Sequence, residues 1–316
     1  MGTDTGFHGG EIAVQRQAGV RHEAARLSRM LEPTELSGGI ARFLAERTFL
    51  ALTARDGAGR LWTTAVAGRP GLLEVRSGSE LAVHAGIAAG DPLTGLAAGQ
   101  QVGTTSVDFA RQRRVRINGT LTVATAKLLV VDAEQAYGNC PQFIQPRLLA
   151  PDDAAPPATA EDDTRHGTTP EPADLALIRA ADTFFLGTAH PDRGADASHR
   201  GGPPGFVRVD DRGLWWPDYP GNNMFNSLGN LAVNPEAALL FPDFATGGSL
   251  HLSGTARIEW GEAGRPGDDG HSGRLIRFRP HHLVATHHLA LHEVAHRSYA
   301  HNPPLTSGEP HAQSNI

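Results

Sequence analysis

His292-Glu293-Val294-Ala295-His296 is the most pointed chemical signature in this chain of 316 residues. On a helix it would set two imidazoles one turn apart with a carboxylate between them, the arrangement of a zinc peptidase. Its surroundings do not extend the pattern. Tyr299 and Asn302 stand where a longer zinc motif of this type carries glycine and a third histidine. His281, His282, His287, His288 and His301 also crowd the region, so a match arises easily. A zinc peptidase is therefore a remote alternative, and no metal site is assigned. Adventitious metal binding by His288, His292 and His296 at helical spacing is the milder reading.

A second kind of chemistry is anion binding. Pro217-Asp218-Tyr219-Pro220-Gly221 is dense turn chemistry, and Asn222 or Asn223 is then expected to cap a helix with Met224, Leu228, Leu231 and Ala232 on one face. An Asn- and Gly-rich loop feeding a helix N-terminus aims unpaired N–H groups outward, which suits a phosphate. Arg200 adds a fork of donors, and Gly201-Gly202 allows a close backbone approach. The one basic cluster is Arg111, Arg113, Arg114 and Arg116. On a strand Arg114 and Arg116 face one side, where they either steer an acidic ligand or line a solvated edge. Cys140, the single cysteine, precedes Pro141 and reads as a small packed side chain. No acid–base pair or nucleophile stands beside these residues, so no catalytic residue is named.

The elements around these groups read mostly as short strands. Residues 49–54, 61–67, 72–76, 81–84, 102–109, 114–123 and 128–132 are expected strands, with a short helix at 133–137. Residues 11–30 carry apolar positions on a helical period, and another helix is expected toward Phe43 and Leu44. Residues 150–172, rich in Pro, Ala and acid, read as a linker. Beyond it a helix at 174–181 and a strand at 183–188 are expected, and residues 237–241 read as a buried strand.

The second half repeats the first. Thr-Phe-Phe-Leu-Gly-Thr from Thr183 answers Thr-Phe-Leu-Ala-Leu-Thr from Thr48, and the run from Pro203 to Val209 answers that from Arg69 to Val75. The segment at Asp243 answers that at Asp108, and Ser253-Gly254-Thr255 answers Asn118-Gly119-Thr120. Collinear pairs at a near-constant offset mark a duplication. Each copy has about six short strands and little helix, the pattern of a small antiparallel barrel.

These residues resemble the pyridoxamine 5'-phosphate oxidase-like, flavin-binding split barrels. The resemblance rests on the strand at 195–200, on Phe225-Asn226-Ser227-Leu228-Gly229-Asn230 with its continuation to Phe241, and on the strand opening Leu250-His251-Leu252. His199-Arg200-Gly201-Gly202 and Asn139-Cys140-Pro141-Gln142 are similar to a bacterial subgroup with two such barrels. It implies a mainly β fold with minor α: two tandem split β-barrels packed as an intramolecular pseudo-dimer. The expected layout is a helical arm at 1–39, a degenerate first barrel at 40–149, the linker at 150–173, a second barrel at 174–285 and a His-rich tail at 286–316.

The resemblance also implies flavin mononucleotide (FMN) as the cofactor. Its expected contacts are Ser198, His199, Arg200, Gly201, Trp216, Tyr219, Asn222, Asn223, Asn226 and Ser227. Residues 139–147 are a candidate wall of the same site. Two adjacent tryptophans on a strand face opposite ways, so only one of Trp215 and Trp216 can meet a ring. Where the family often carries lysine this chain has Ser227, so that positive charge is missing. In the first copy Asp91 and Pro92 replace Asn226 and Ser227, a poor anion site on a helix expected to persist there. The reading is a flavin-dependent oxidoreductase of an unknown small molecule and electron donor. It is not expected to be a true pyridoxamine phosphate oxidase, since the family's C-terminal Arg-x-His element has no match. The alternative is a non-catalytic module for flavin, deazaflavin or haem on the same fold.

With 34 acidic against 28 basic residues, a net charge of −6, nucleic acid is not the expected partner. A polar first ten residues, no apolar run of bilayer length and one cysteine lead to the expectation of a cytoplasmic protein without a membrane span, with homodimerisation possible.

Overall fold

A computed structural model describes residues 6–32, 35–152 and 164–306. The chain opens with α1 (Gly9–Gln17), α2 (Arg21–Ala25) and a 3₁₀ turn at Ser28–Leu31. The single helix expected over 11–30 is thus broken, because the chain leaves helical geometry at Val20 (φ −118°, ψ 19°). Helix α3 (Gly38–Ala45) then buries Phe43 and Leu44, as its apolar spacing predicts.

Seven strands follow: β1 (Phe49–Arg55), β2 (Leu61–Ala67), β3 (Leu73–Val75), β4 (Glu80–Val83), β5 (Gln100–Asp108), β6 (Arg113–Ala124) and β7 (Leu129–Gly138). Between the two halves lie β8 (Arg147–Pro151) and β9 (Arg165–Gly167). The second half has α4 (Pro172–Ala180), β10 (Thr183–His190), β11 (Gly194–Gly201), β12 (Arg208–Asp210), β13 (Gly213–Pro217), α5 (Asn226–Val233), β14 (Glu236–Asp243), β15 (Gly248–Trp260), β16 (Arg274–Thr286) and β17 (Leu291–His296).

The two main sheets share one strand order. The first runs β2-β1-β5-β6-β7-β4-β3 and the second β11-β10-β14-β15-β16-β13-β12, all antiparallel, with β9 added beside β16. The duplication legible in the residues is therefore a duplication of topology: two split barrels in one mainly β chain. Each has its own core. Leu50, Leu52, Trp62 and Ile117 anchor the first; Phe184, Trp216, Phe241 and Phe278 anchor the second. A third cluster, with Phe49, Phe109, Phe185 and Phe244, fills the seam between barrels. Aromatic side chains bury the most apolar area per residue, so this seam is held as a core is held.

Three expected helices are not helices. Residues 133–137 lie within β7, where Tyr137 and Ala136 pair with β6 and their side chains are buried. Alternation inside a half-buried strand outweighed the helical propensity of Ala-Glu-Gln-Ala. Residues 87–99 form turns and loop rather than the persisting helix, and Gln100 and Gln101 already belong to β5, although Leu93 remains fully buried. The zinc-like motif lies in β17, paired with β8, so His292 and His296 do not share a helical face. Glu293 instead meets Arg147 at 3.1 Å and His296 meets Asp182 at 2.8 Å. No metal-holding group of His, Cys, Asp and Glu exists among the described residues. The zinc peptidase reading, and metal binding at helical spacing, are thereby overturned.

The N-terminal arm packs on both barrels: α1 lies on α5 of the second, while Ala24 and Leu31 cluster with Tyr137 of β7 in the first. Glycines let α1 and α5 touch: a Cβ on Gly10 would stand 2.2 Å from the carbonyl oxygen of Gly229. The Pro/Ala/acidic run lies largely outside the described residues, which resume at Thr164. No helix among the described residues is long and apolar enough to cross a membrane.

Candidate functional site

Strand β11 carries the first group of site residues, because its register against β10 sets Ser198 opposite Leu186 and Arg200 opposite Phe184. Strand β13 delivers Trp216 over the second barrel's core, while Trp215 turns away to lie under Arg208, 4.8 Å from its guanidinium carbon. The loop before α5 brings the asparagines. That helix is not capped by Asn222 or Asn223. Its N-cap is Phe225, in the left-handed region (φ 60°), with no side-chain cap. The Asn222 carboxamide is used one turn earlier, its Oδ1 accepting from the backbone N–H of Met224 at 3.1 Å.

All ten expected contacts, Ser198 to Ser227, line one cleft of about 840 Å³ counted out to solvent. The first barrel completes it with Arg114 and Arg116 from β6 and with residues 139–143. Strand β6 lies between β5 and β7, so the alternative of a solvated strand edge for these arginines does not hold. They point across the seam into the other barrel.

The charge balance of the cleft is positive. Arg114, Arg116 and Arg200 line it against one lining carboxylate, Asp218. Asp218 is itself committed, 2.8 Å from Arg274 Nε and 3.3 Å from Arg200 Nη1. Behind the cleft wall, Arg116 Nη1 donates to both oxygens of Asp196 at 2.8 and 3.0 Å. Ser227 Oγ donates to Asp196 at 2.9 Å and lies 3.1 Å from Ser198 Oγ. Arg114 has no carboxylate. Its Nη1 donates to His199 Nδ1 at 2.9 Å and to the His199 carbonyl at 3.1 Å. Burial, then Arg116 and Arg200, pull its pKa down to about 9, so it remains a cation at neutral pH.

That contact fixes His199. A guanidinium can only donate, so Nδ1 accepts and the proton of the neutral ring sits on Nε2. Burial, and then the charges of Arg114, Arg147 and Arg200, hold His199 well below the ordinary histidine range. Six buried polar atoms of the lining have no partner: Arg114 Nε, Arg116 Nε, Asn139 Nδ2, His199 Nε2, Trp216 Nε1 and Tyr219 OH. Unpaired buried donors are costly, and their gathering in one cleft signals a polar ligand rich in acceptors.

One wall is aromatic. Phe143 stacks on Tyr219 with centroids 4.6 Å apart. The loop carrying Phe143 closes tightly on β11, and only glycine fits beneath it: a Cβ on Gly201 would stand 2.0 Å from the Phe143 carbonyl oxygen. Phe143, Asn223 and Phe225 all have positive φ and all line the cleft. Strained backbone of this kind gathers at binding sites. Cys140, read as a packed side chain, is half-buried on the same lining.

Residues 171–266 match the pyridoxamine 5'-phosphate oxidase family model. The chain carries a pyridoxamine 5'-phosphate oxidase-like domain. The matched residues lie in the second barrel, from α4 to just beyond β15, and include every expected contact. Solved structures similar to the chain include the haem storage protein HutZ of Vibrio cholerae, 18% identical, covering 35% of this chain and 89% of that one with a TM-score of 0.28. An F420 reductase is 17% identical and covers 36% of this chain and 98% of its own, with a TM-score of 0.28. A Clostridium acetobutylicum protein related to general stress protein 26 of B. subtilis is 17% identical, covering 37% of this chain and 88% of its own with a TM-score of 0.28. No curated protein matches.

The duplicated topology places a counterpart of the cleft on the other side of the seam. Thr64 opposite Leu52 corresponds to Ser198 opposite Leu186, and His251 opposite Leu240 corresponds to Arg116 opposite Thr105. There the space is narrowed by side chains, with His251 Nε2, His288 Nε2 and Thr164 Oγ1 buried and without a hydrogen-bond partner. Thr64 donates its hydroxyl to Asp91, and His251 Nε2 lies 4.0 Å from the same carboxylate. Thr164 presses on Gly90: a Cβ there would be 2.2 Å from its Oγ1 and 3.1 Å from His288 Nε2.

Sequence reasoning missed Asp196, Asp218 and Glu11, and gave Arg114 no firm place. Asp196 had a signal, since it stands two residues before Ser198 and shares its strand face. Glu11 had none: its Oε1 accepts from Asn226 Nδ2 at 2.5 Å only because the arm docks on the far barrel.

Proposed function

We propose that the cleft binds FMN and that the chain is a flavin-dependent oxidoreductase of a small molecule. The observation that carries this reading is the excess of guanidinium over carboxylate in a cleft lined by unpaired donors and one aromatic wall. Arg114 and Arg200, with the hydroxyls of Ser198 and Ser227, would hold the phosphate. Arg114 answers the missing lysine at Ser227, since the first barrel supplies the cation that the second lacks. Trp216, Tyr219 and the Nε2–H of His199 would face the ring system. Bound flavin supplies the hydride chemistry, while the protein contributes binding and electrostatics. Asp196 and Asp218 are both locked in ion pairs and His199 has no free acceptor, so none of the three is placed to relay a proton.

The test is FMN titration of the purified chain, followed by dithionite. Saturable binding and a two-band flavin spectrum that bleaches on reduction are expected. Arg200→Ala and Arg114→Ala should each weaken binding about ten- to a hundredfold, the usual worth of a charge-assisted contact. Absence of saturable FMN binding, or retention unchanged in both variants, overturns the reading. A sharp single haem band on the purified protein would move the assignment to the haem-binding alternative.

A further inference from the structure

A second hollow adjoins the cleft, and Arg114 and Asn139 line both. It runs between α3 and the start of β6, with Ile40, Phe43 and Val115 on its apolar side and Arg113 on its rim. None of its ten lining residues is acidic. Arg113 is exposed, and its guanidinium carbon lies 5.7 Å from the centroid of the Phe43 ring. Phe43 receives Arg47 as well, at 4.7 Å, so its ring is held in place. Gln112, at the turn into β6, has a left-handed backbone (φ 52°) and donates Nε2 to the Ile144 carbonyl at 2.8 Å. Four of the five non-glycine residues with positive φ among the described residues thus line this hollow or the cleft.

An apolar floor, a guanidinium on its rim and a shared wall of unpaired donors select one kind of occupant. We propose that this hollow is the substrate subsite, taking a small organic anion whose apolar ring lies on Phe43 and Ile40 and whose acidic head meets Arg113. Arg114 and Asn139, standing between the hollows, bring that molecule next to whatever fills the cleft. The role as substrate subsite rests on the cofactor reading above; the binding itself does not.

Calorimetric titration of the FMN-free chain with benzoate, phenyl phosphate and benzyl alcohol separates the two. Both anions should bind saturably and the alcohol at least tenfold more weakly. Arg113→Ala should weaken the anions tenfold or more, and Ile40→Asp, which adds a carboxylate to the floor, should do the same. Neither change should alter FMN retention. Equal binding of benzyl alcohol, or anion binding indifferent to both substitutions, overturns the subsite. Failure of FMN to bind while the anions still do would leave the hollow standing as an anion site and sink the cofactor reading alone.

Discussion

Arg114 Nη1 and His199 Nδ1 stand 2.9 Å apart across the seam, so a cation of the first barrel fixes a tautomer in the second. Removing that cation should be visible on the ring itself. In Arg114→Ala the imidazole loses a like-charge neighbour, and its pKa should rise toward the ordinary value near 6.5. An NMR pH titration of the His199 ring reads this directly. A ring still neutral well below that range would mean that burial, with Arg147 and Arg200, holds it without Arg114.

Asp196 is the hinge of charge between the barrels. It takes Arg116, Ser227 and Asn118, the last at 3.3 Å from Nδ2. Asp196→Ala should cost about 3–5 kcal/mol, because it strands a buried guanidinium. The paired change Arg116→Met with Asp196→Leu should recover much of that loss, since no charge is then left without a partner. Denaturant unfolding of the three chains checks it.

Glu11 gives stability a pH dependence. Its carboxyl is raised to about 7, chiefly by burial, against hydrogen bonds from the His8 N–H and Asn226. The folded chain therefore keeps a proton that the unfolded chain releases from about pH 4.5 upward. Stability from this group is full below that value and falls as pH rises through 7. His8 runs the other way, lowered to about 4 by burial and His190, and costs stability as pH falls from 6.5. Glu11→Gln removes the alkaline loss only. At pH 8 it should be more stable than the parent by up to about 3 kcal/mol, and near pH 4 equal to it. Unfolding midpoints at the two pH values decide; equal differences at both would show that Glu11 is not the titrating group.

The narrowed counterpart of the cleft, with Asp91 turned into it, predicts stoichiometry. FMN titration should saturate at one per chain, not two, by absorbance against protein concentration. Two equivalents would mean that Thr64, Asp91 and Thr164 do not keep a second FMN out.

Much of the fold was legible because strands follow local alternation and the two copies check each other. The equivalence of β1 and β10 could be read from residues 48–53 and 183–188 alone. The helices were less legible where burial overrode local pattern, as at Ala136 and Tyr137, and where Asp91 turned its carboxylate to Thr64 rather than opening a helix. The ten cleft residues were legible through the family resemblance, and only Arg200, Gly201 and the asparagines of the loop before α5 also by their own chemistry. The partners of Arg114, Asp196 and Glu11 were not, because each acts on a residue about 80 to 215 positions away, brought near only by the seam or the docked arm.

The carboxylate of Asp91 has a consequence for how such a molecule can change. In a pair of identical chains every substitution is written twice, so a carboxylate that narrows one cleft narrows both. Joined end to end, the two barrels no longer share a spelling. One copy can give up its pocket and keep its walls, and the other can borrow a cation from it.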